Sequence, residues 1–188
     1  MFTTVTSWTS ERPLARTLIV AFAGSLLLTV SAKVSVPFFP VPMTLQTLAV
    51  LVLGFTLGPR LGAASVLMYL AEGATGLPVF TGTPEKGVGL AYMAGPTGGF
   101  LLGFVASAWL AGWFAMKGWT QGILRAVTAS VLAQAIVFVP GLIWLATLLG
   151  SVEKALVFGL YPFLLAGLVK SVLAAAIVVA GQRLSPRG

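Results

Sequence analysis

The sequence predicts an all-α integral membrane protein: six transmembrane helices with ordered outward-facing loops, both termini cytoplasmic, in the cell membrane. Three observations carry this. Hydrophobic residues make up 58% of the 188-residue chain and charged residues 8%, against about a quarter charged in a soluble domain. Mean hydropathy is +1.03, so there are too few polar groups to coat a water-facing surface, and lipid must be the solvent for most of the exterior. The apolar residues are gathered into long runs separated by proline- and glycine-rich segments. The whole of 1–188 is read as a single membrane domain, with a cytoplasmic N-terminal segment over 1–13, a six-helix bundle over 14–181 and a cytoplasmic tail over 182–188.

The first run, Leu14 to Ala32, has about 19 residues, which at about 1.5 Å per residue just crosses the hydrocarbon core. It is too long, and lacks the small-residue cleavage site, for a signal peptide. Three prolines, Pro37, Pro40 and Pro42, follow it. They remove amide donors and forbid a helix, leaving a stiff, apolar loop. Thr44 to Leu57 and Leu61 to Glu72 are shorter helical runs hinged at Gly58-Pro59-Arg60. Each is about 20 Å long as a helix, too short to span alone. Short true spans shielded by neighbours are preferred here to a re-entrant hairpin. Gly73 to Pro96 is glycine-rich and carries Pro78, Pro84 and Pro96, yet Leu77, Val79, Phe80, Leu90, Tyr92 and Met93 argue against disorder. It reads as a packed lid. Thr97 to Met116 is the fourth span, Ile123 to Leu149 the fifth with a break at Pro140-Gly141, and Val157 to Gly181 the sixth.

Charge sets the orientation. With a cytoplasmic N-terminus, Arg12, Arg16, Arg60, Lys117, Arg125, Arg183 and Arg187 lie inside, and Lys33, Lys86 and Lys154 outside. That asymmetry follows the positive-inside rule. The two elaborate loops then face outward, where an incoming substrate would meet them.

The composition also removes chemistry. There is no Cys, His or Asp, and the carboxylates are Glu11, Glu72, Glu85 and Glu153. A thiol or Ser-His-Asp relay is impossible, as is a nitrogen- or sulfur-ligated zinc site. No catalytic residue, metal or cofactor is expected. The net charge of +7 comes from basic residues scattered singly, so nucleic acid is not an expected partner. The inventory suits non-covalent capture.

Lys170 is the basic residue deep in a membrane run. A lysine at the bilayer centre costs about 2.5 to 3.5 kcal/mol on insertion scales and is normally aimed inward and paired. A functional role is preferred to snorkelling, with Glu72 or a substrate anion as partner. Thr44 is a natural N-cap at the mouth of the second helix. Gln46, in the first turn, either braces the loop or offers an amide to a neutral polar ligand such as a urea. Gly98 and Gly99 open the fourth helix, where free amides make a small anion site; tight lid packing is the alternative. Phe38, Phe39, Phe80 and Tyr92 lie on the outer loops and would wall an apolar ring. Trp109, Trp113, Trp119, Trp144 and Tyr161 suit an aromatic belt. Ala21 and Ser25 form a small-xxx-small pair on the first helix, suited to a partner helix or to packing within the bundle.

Taken together, Val41-Pro-Met-Thr-Leu-Gln-Thr-Leu48, Gly58-Pro-Arg-Leu-Gly62, Gly76-Leu-Pro-Val-Phe80, Gly95-Pro-Thr-Gly-Gly-Phe100, Pro140-Gly-Leu-Ile-Trp144 and the helix bearing Lys170 resemble the BioY family. These are the biotin-specific membrane components of energy-coupling-factor (ECF) transporters. The likeness covers about residues 13 to 181. It implies a six-helix capture subunit holding biotin in an outward-facing cavity capped by the first and third loops, working in the lipid membrane with a coupling transmembrane subunit and an ATPase pair. The chain itself has no phosphate loop. The family's partner face involves the first helix, which points to Ala21 and Ser25. The resemblance implies biotin contacts from Thr44, Gln46, Phe80, Tyr92, the Gly98-Gly99 backbone and Lys170. Alternatives are a component for another small vitamin or biotin precursor, or an assembly subunit that binds no ligand. One departure stands out: family members usually carry Pro-Gly-Asp where this chain has Leu165-Ala166-Gly167. Lys170 then lacks its usual neighbour and is expected to meet ligand, another polar side chain or water.

Overall fold

The computed structural model describes residues 13–37, 39–85 and 87–184. The expectations for Arg12, Phe38, Lys86, Arg187 and most of the two terminal segments lie outside the described residues. The described chain is helical, with one small β pair: α1 (Pro13–Lys33), β1 (Ser35–Val36), β2 (Met43–Thr44), α2 (Gln46–Ala74), α3 (Gly89–Met93), α4 (Gly98–Met116), a 3-10 turn (Trp119–Gln121), α5 (Ile123–Leu149), α6 (Val152–Gly159) and α7 (Tyr161–Leu184). Five of these helices, α1, α2, α4, α5 and α7, are long and apolar enough to cross a membrane.

Helix α1 buries Ala21, Ser25, Leu28 and Ala32 at spacings of three and four, while Leu18, Phe22, Leu26 and Val30 are exposed. Both faces are apolar, as a helix between a protein core and lipid requires. After it, the prolines do exclude a helix, and the chain turns back as a two-residue antiparallel pair with Ser35 opposite Thr44.

The expected second and third runs form one hydrogen-bonded element, α2, broken by a single non-helical residue, Gly58, at φ 81° and ψ 175°. Only glycine takes that conformation without strain, and Pro59 supplies no amide to continue the ladder. The two arms fold back on each other. Gln46 and Tyr69 would lie about 35 Å apart in a straight helix, yet Gln46 Nε2 donates to Tyr69 Oη at 2.7 Å. A Cβ on Gly62 would stand 2.9 Å from Gly54 Cα, so glycine on both arms permits their contact. The tip at Gly58-Pro59 packs against Gly112 of α4, and Gly54 against Ala108.

Two further boundaries differ from expectation. The anticipated break at Pro140-Gly141 is absent; α5 runs through it as one helix. The anticipated sixth run divides at Leu160 into α6 and α7. Ser151 caps α6 by accepting from the Lys154 amide at 3.2 Å, and Pro162 falls in the first turn of α7, where a missing amide costs nothing.

The core is split along the bundle. Leu28, Val50, Val66, Tyr69, Phe80, Phe100, Phe104 and Leu145 pack at the end carrying the two loops. Leu51, Phe55, Ala111, Phe114, Ala129, Ala133, Ala174 and Val178 pack toward the Gly58 tip. Alanines on α5 and α7 allow close helix approach there.

Candidate binding site

At the loop end, a cavity opens among β2, both arms of α2, the lid, α4, α5 and α7. It has about 640 Å³ of atom-free space counted out to its mouth. Its apolar lining is Val41, Pro42, Phe100, Leu101, Phe104, Val137, Phe138 and Phe163. Its polar lining is Thr44, Gln46, Thr47, Tyr69, Thr81, Tyr92, Thr97, Gln134 and Lys170. No carboxylate lines it, and Lys170 is its sole charge among the described residues.

Lys170 is 9% exposed. Its Nζ donates to the Thr44 carbonyl at 3.0 Å, so the side chain turns toward the loop end and the cavity rather than toward the end at the Gly58 tip. Glu72 is not its partner; that carboxylate accepts from Ser25 Oγ at 2.8 Å. With one hydrogen bond among the described residues and three donor hydrogens, the ammonium keeps capacity for a ligand.

Thr44 and Gln46 work locally as well as lining the cavity. The first amide of α2, Gln46 N–H, donates to Thr44 Oγ1 at 3.2 Å. This is the capping role anticipated for Thr44, exercised from β2, with Leu45 rather than Thr44 at the formal N-cap. Gln46 is nearly saturated inside the protein. Its Nε2 is bonded to Tyr69, and its Oε1 accepts from Thr44 Oγ1 at 3.2 Å, while Thr81 Oγ1, 3.5 Å from that oxygen, shares its one proton with the nearer Ala32 carbonyl at 3.0 Å. Bracing the mouth is therefore what its amide does in this conformation.

The lid is packed, as its apolar residues suggested. Val79, Phe80, Thr81, Thr83 and Tyr92 are buried, whereas Leu77 and Leu90 are exposed. Phe80 sits behind the cavity wall, edge-on to Tyr69 at 5.4 Å and stacked on Tyr92 at 4.8 Å. Gly73 makes room for it, since a Cβ there would run into the Phe80 ring. Burial pushes the Tyr92 phenol above its ordinary pKa, while hydrogen bonds with Thr97 and Thr81 pull the other way; as a neutral hydroxyl it both donates and accepts. Lys33, at the end of α1, clamps the lid by donating to the Phe80 carbonyl at 2.9 Å and to Thr83 Oγ1 at 3.1 Å. Trp144 clamps its other end, Nε1 donating to the Gly95 carbonyl at 2.9 Å, a structural task beyond an aromatic belt.

Several anticipated residues stand elsewhere. Gly98 and Gly99 do not line the cavity. A Cβ on Gly98 would strike the Met93 carbonyl, and one on Gly99 the Pro140 carbonyl and Trp144, so both are close-packing positions that seat α4 against α3 and α5. Phe39 is exposed and outside the cavity. Ala21 and Ser25 are buried within the bundle, with Ser25 bonded to Glu72 of α2. Of the two readings of this pair, these contacts fit packing within the bundle: α2 covers that side of α1 and leaves no open face at these two residues.

Residues not anticipated complete the cavity, among them Thr47, Tyr69, Thr81, Thr97, Phe163 and Gln134. Gln134 had a readable signal, a lone amide inside the apolar run Val131-Leu-Ala-Gln-Ala-Ile-Val137. The others carry no such mark, because a threonine or phenylalanine in a membrane helix is ordinary.

Comparison with known proteins agrees with this architecture. The chain is 37% identical over 158 residues to a probable biotin transporter BioY of Pyrococcus horikoshii, covering 84% of this chain and 89% of that protein. It is 35% identical over 169 residues to the biotin transporter BioY of Thermotoga maritima, covering 90% and 97%. A crystal structure of the S-component for biotin from an ECF-type ABC transporter superposes with a TM-score of 0.73 at 26% identity, over 94% of this chain and 95% of that one. The BioY family model matches residues 3–187. With the helical hairpin, the clamped lid and the cavity beneath it in place, the match extends over the whole bundle, and the chain belongs to the BioY family.

Proposed function

We propose that this chain captures biotin on the outer face of the cell membrane as the substrate-binding subunit of an ECF-type vitamin transporter. The cavity's inventory carries the reading. Biotin combines a ureido group that donates and accepts, a thiophane ring and one carboxylate. The cavity offers neutral amides and hydroxyls, an aromatic and aliphatic wall, and one ammonium with no carboxylate to oppose it. The names of the relatives point the same way. Binding is non-covalent, and energy for release comes from the coupling subunit and its ATPase pair.

Six crossings with both termini inside belong to the same proposal. The arms of α2 pack against α4, with Gly54 on Ala108 and the tip at Gly58-Pro59 on Gly112, which supports reading each as a short crossing shielded by a neighbouring span. Arg60 then lies on the cytoplasmic side. The chain has no cysteine, so a single Arg60→Cys is labelled only from the inside on this reading; labelling from outside sinks it.

Thermal unfolding of the purified protein with biotin tests the function. At a hundredfold excess over the dissociation constant, ligand-linked stabilisation is about 2.7 kcal/mol. Absence of any shift with biotin at saturating concentration refutes the reading. Displacement by an unrelated vitamin as readily as by biotin assigns the cavity a different substrate.

A further inference from the structure

Gln134 is 5% exposed, lies in the cavity wall, and its Oε1 has no hydrogen-bond partner. A buried amide oxygen left unpaired forfeits the water it would otherwise bind. The other glutamine of the cavity is in the opposite condition, bonded to Tyr69 and Thr44. Gln134 owes its position to Gly167 of α7, since a Cβ at that residue would stand 2.7 Å from Gln134 Nε2. Lys170, one turn further along α7, lines the same cavity. An unused acceptor and an ammonium donor thus belong to the lining of one cavity, together the complement of a group that offers an N–H next to a carbonyl.

We infer that Gln134 is a specificity-determining residue that accepts a hydrogen bond from an N–H of the ligand's cyclic urea, with Gly167 as the residue that makes room for it. The inference rests on the biotin reading above and adds to it the group recognised at this wall. A site built to hydrogen-bond an N–H discriminates against an analogue lacking it, because its own polar group is then left unpaired.

The test uses full-length wild type and Gln134→Met, a near-isosteric side chain without the amide. Each is titrated with biotin and with an analogue carrying CH2 in place of both ureido N–H groups. Wild type is expected to favour biotin by about tenfold or more. Gln134→Met should lose most of that preference by weakening biotin alone, with binding of the analogue changed by less than about threefold. Equal weakening of both ligands, or an unchanged preference, overturns the inference. Wild type that binds neither ligand refutes the biotin reading itself and is seen before any variant is compared. If Gln134→Met does not fold, as judged by its unliganded melt, Gly167→Ala serves instead. Its added methyl displaces the amide without removing it, and an undiminished preference for biotin in that variant overturns the inference as well.

Discussion

Lys170 Nζ and the Thr44 carbonyl, 126 positions apart in the chain, are joined by a 3.0 Å hydrogen bond. It ties α7 to the β pair at the cavity mouth, so the one charge that the described residues bring to the wall is held by the segment a ligand must pass. Replacing Lys170 by Met keeps the length and removes the ammonium. Truncating one partner of a buried charged contact typically costs about 2 to 5 kcal/mol of binding, a loss of at least about thirtyfold in biotin affinity. The unliganded melt should hardly move, because an apolar side chain relieves the desolvation of the charge. Unchanged affinity by equilibrium binding would return Lys170 to a structural role.

The lid should be released by Lys33→Met. That side chain holds the Phe80 carbonyl and Thr83 Oγ1, and hydrogen bonds from charged donors are worth about 1.5 to 3 kcal/mol. The expected signature is faster biotin dissociation, by about tenfold or more, with the association rate nearly unchanged. A stopped-flow chase experiment reads both. An unaltered dissociation rate would show that the clamp plays no part in retention.

Gly73→Ala should destabilise the protein through the lid rather than through α2. The new methyl would overlap the Phe80 ring, and Phe80 has no free space because Tyr69 and Tyr92 hold it on two sides. Overpacking of this kind costs about 1 to 3 kcal/mol. Thermal unfolding should show it, and Gly73→Ala combined with Phe80→Leu should recover part of the loss. A wild-type melt for the single variant would contradict the packing described.

Tyr69→Phe removes the acceptor of Gln46 Nε2 and leaves that amide buried. The cost is about 1 to 3 kcal/mol, visible as a lowered melt, with a smaller effect on biotin affinity because Gln46 braces the mouth. If affinity falls far more than stability, Tyr69 itself touches the ligand.

Legibility from sequence divided along physical lines. The Gly58-Pro59 hinge was readable because a positive φ and a missing amide are local properties of those residues. The same holds for the non-helical Pro37–Pro42 loop. Lys170 stood out because a charge in a membrane run is expensive wherever it points. By contrast, Pro140 suggested a break that α5 does not make, since neighbouring helices re-satisfy a backbone interrupted by proline. The division of the last run at Leu160 was equally hidden, because the residues on both sides are apolar.

The facing of each helix could not be read. In water, a polar stripe marks the outside of a helix, but in lipid the outside is as apolar as the core. Ala21 and Ser25 could therefore lie against a partner or inside the bundle with the same sequence; the return arm of α2 placed them inside. The same degeneracy left packing as only one of two readings for Gly98 and Gly99, and it hid the juxtaposition of Gln134 with Gly167. By itself the sequence determined that lipid is the solvent, where the chain must turn, and which single charge is costly enough to demand a partner. Only the tertiary structure decided which small residues are contacts and which polar atoms remain free. Those properties depend on what the opposing helix brings to within a few ångströms, and no local pattern in an almost uniformly apolar chain records that.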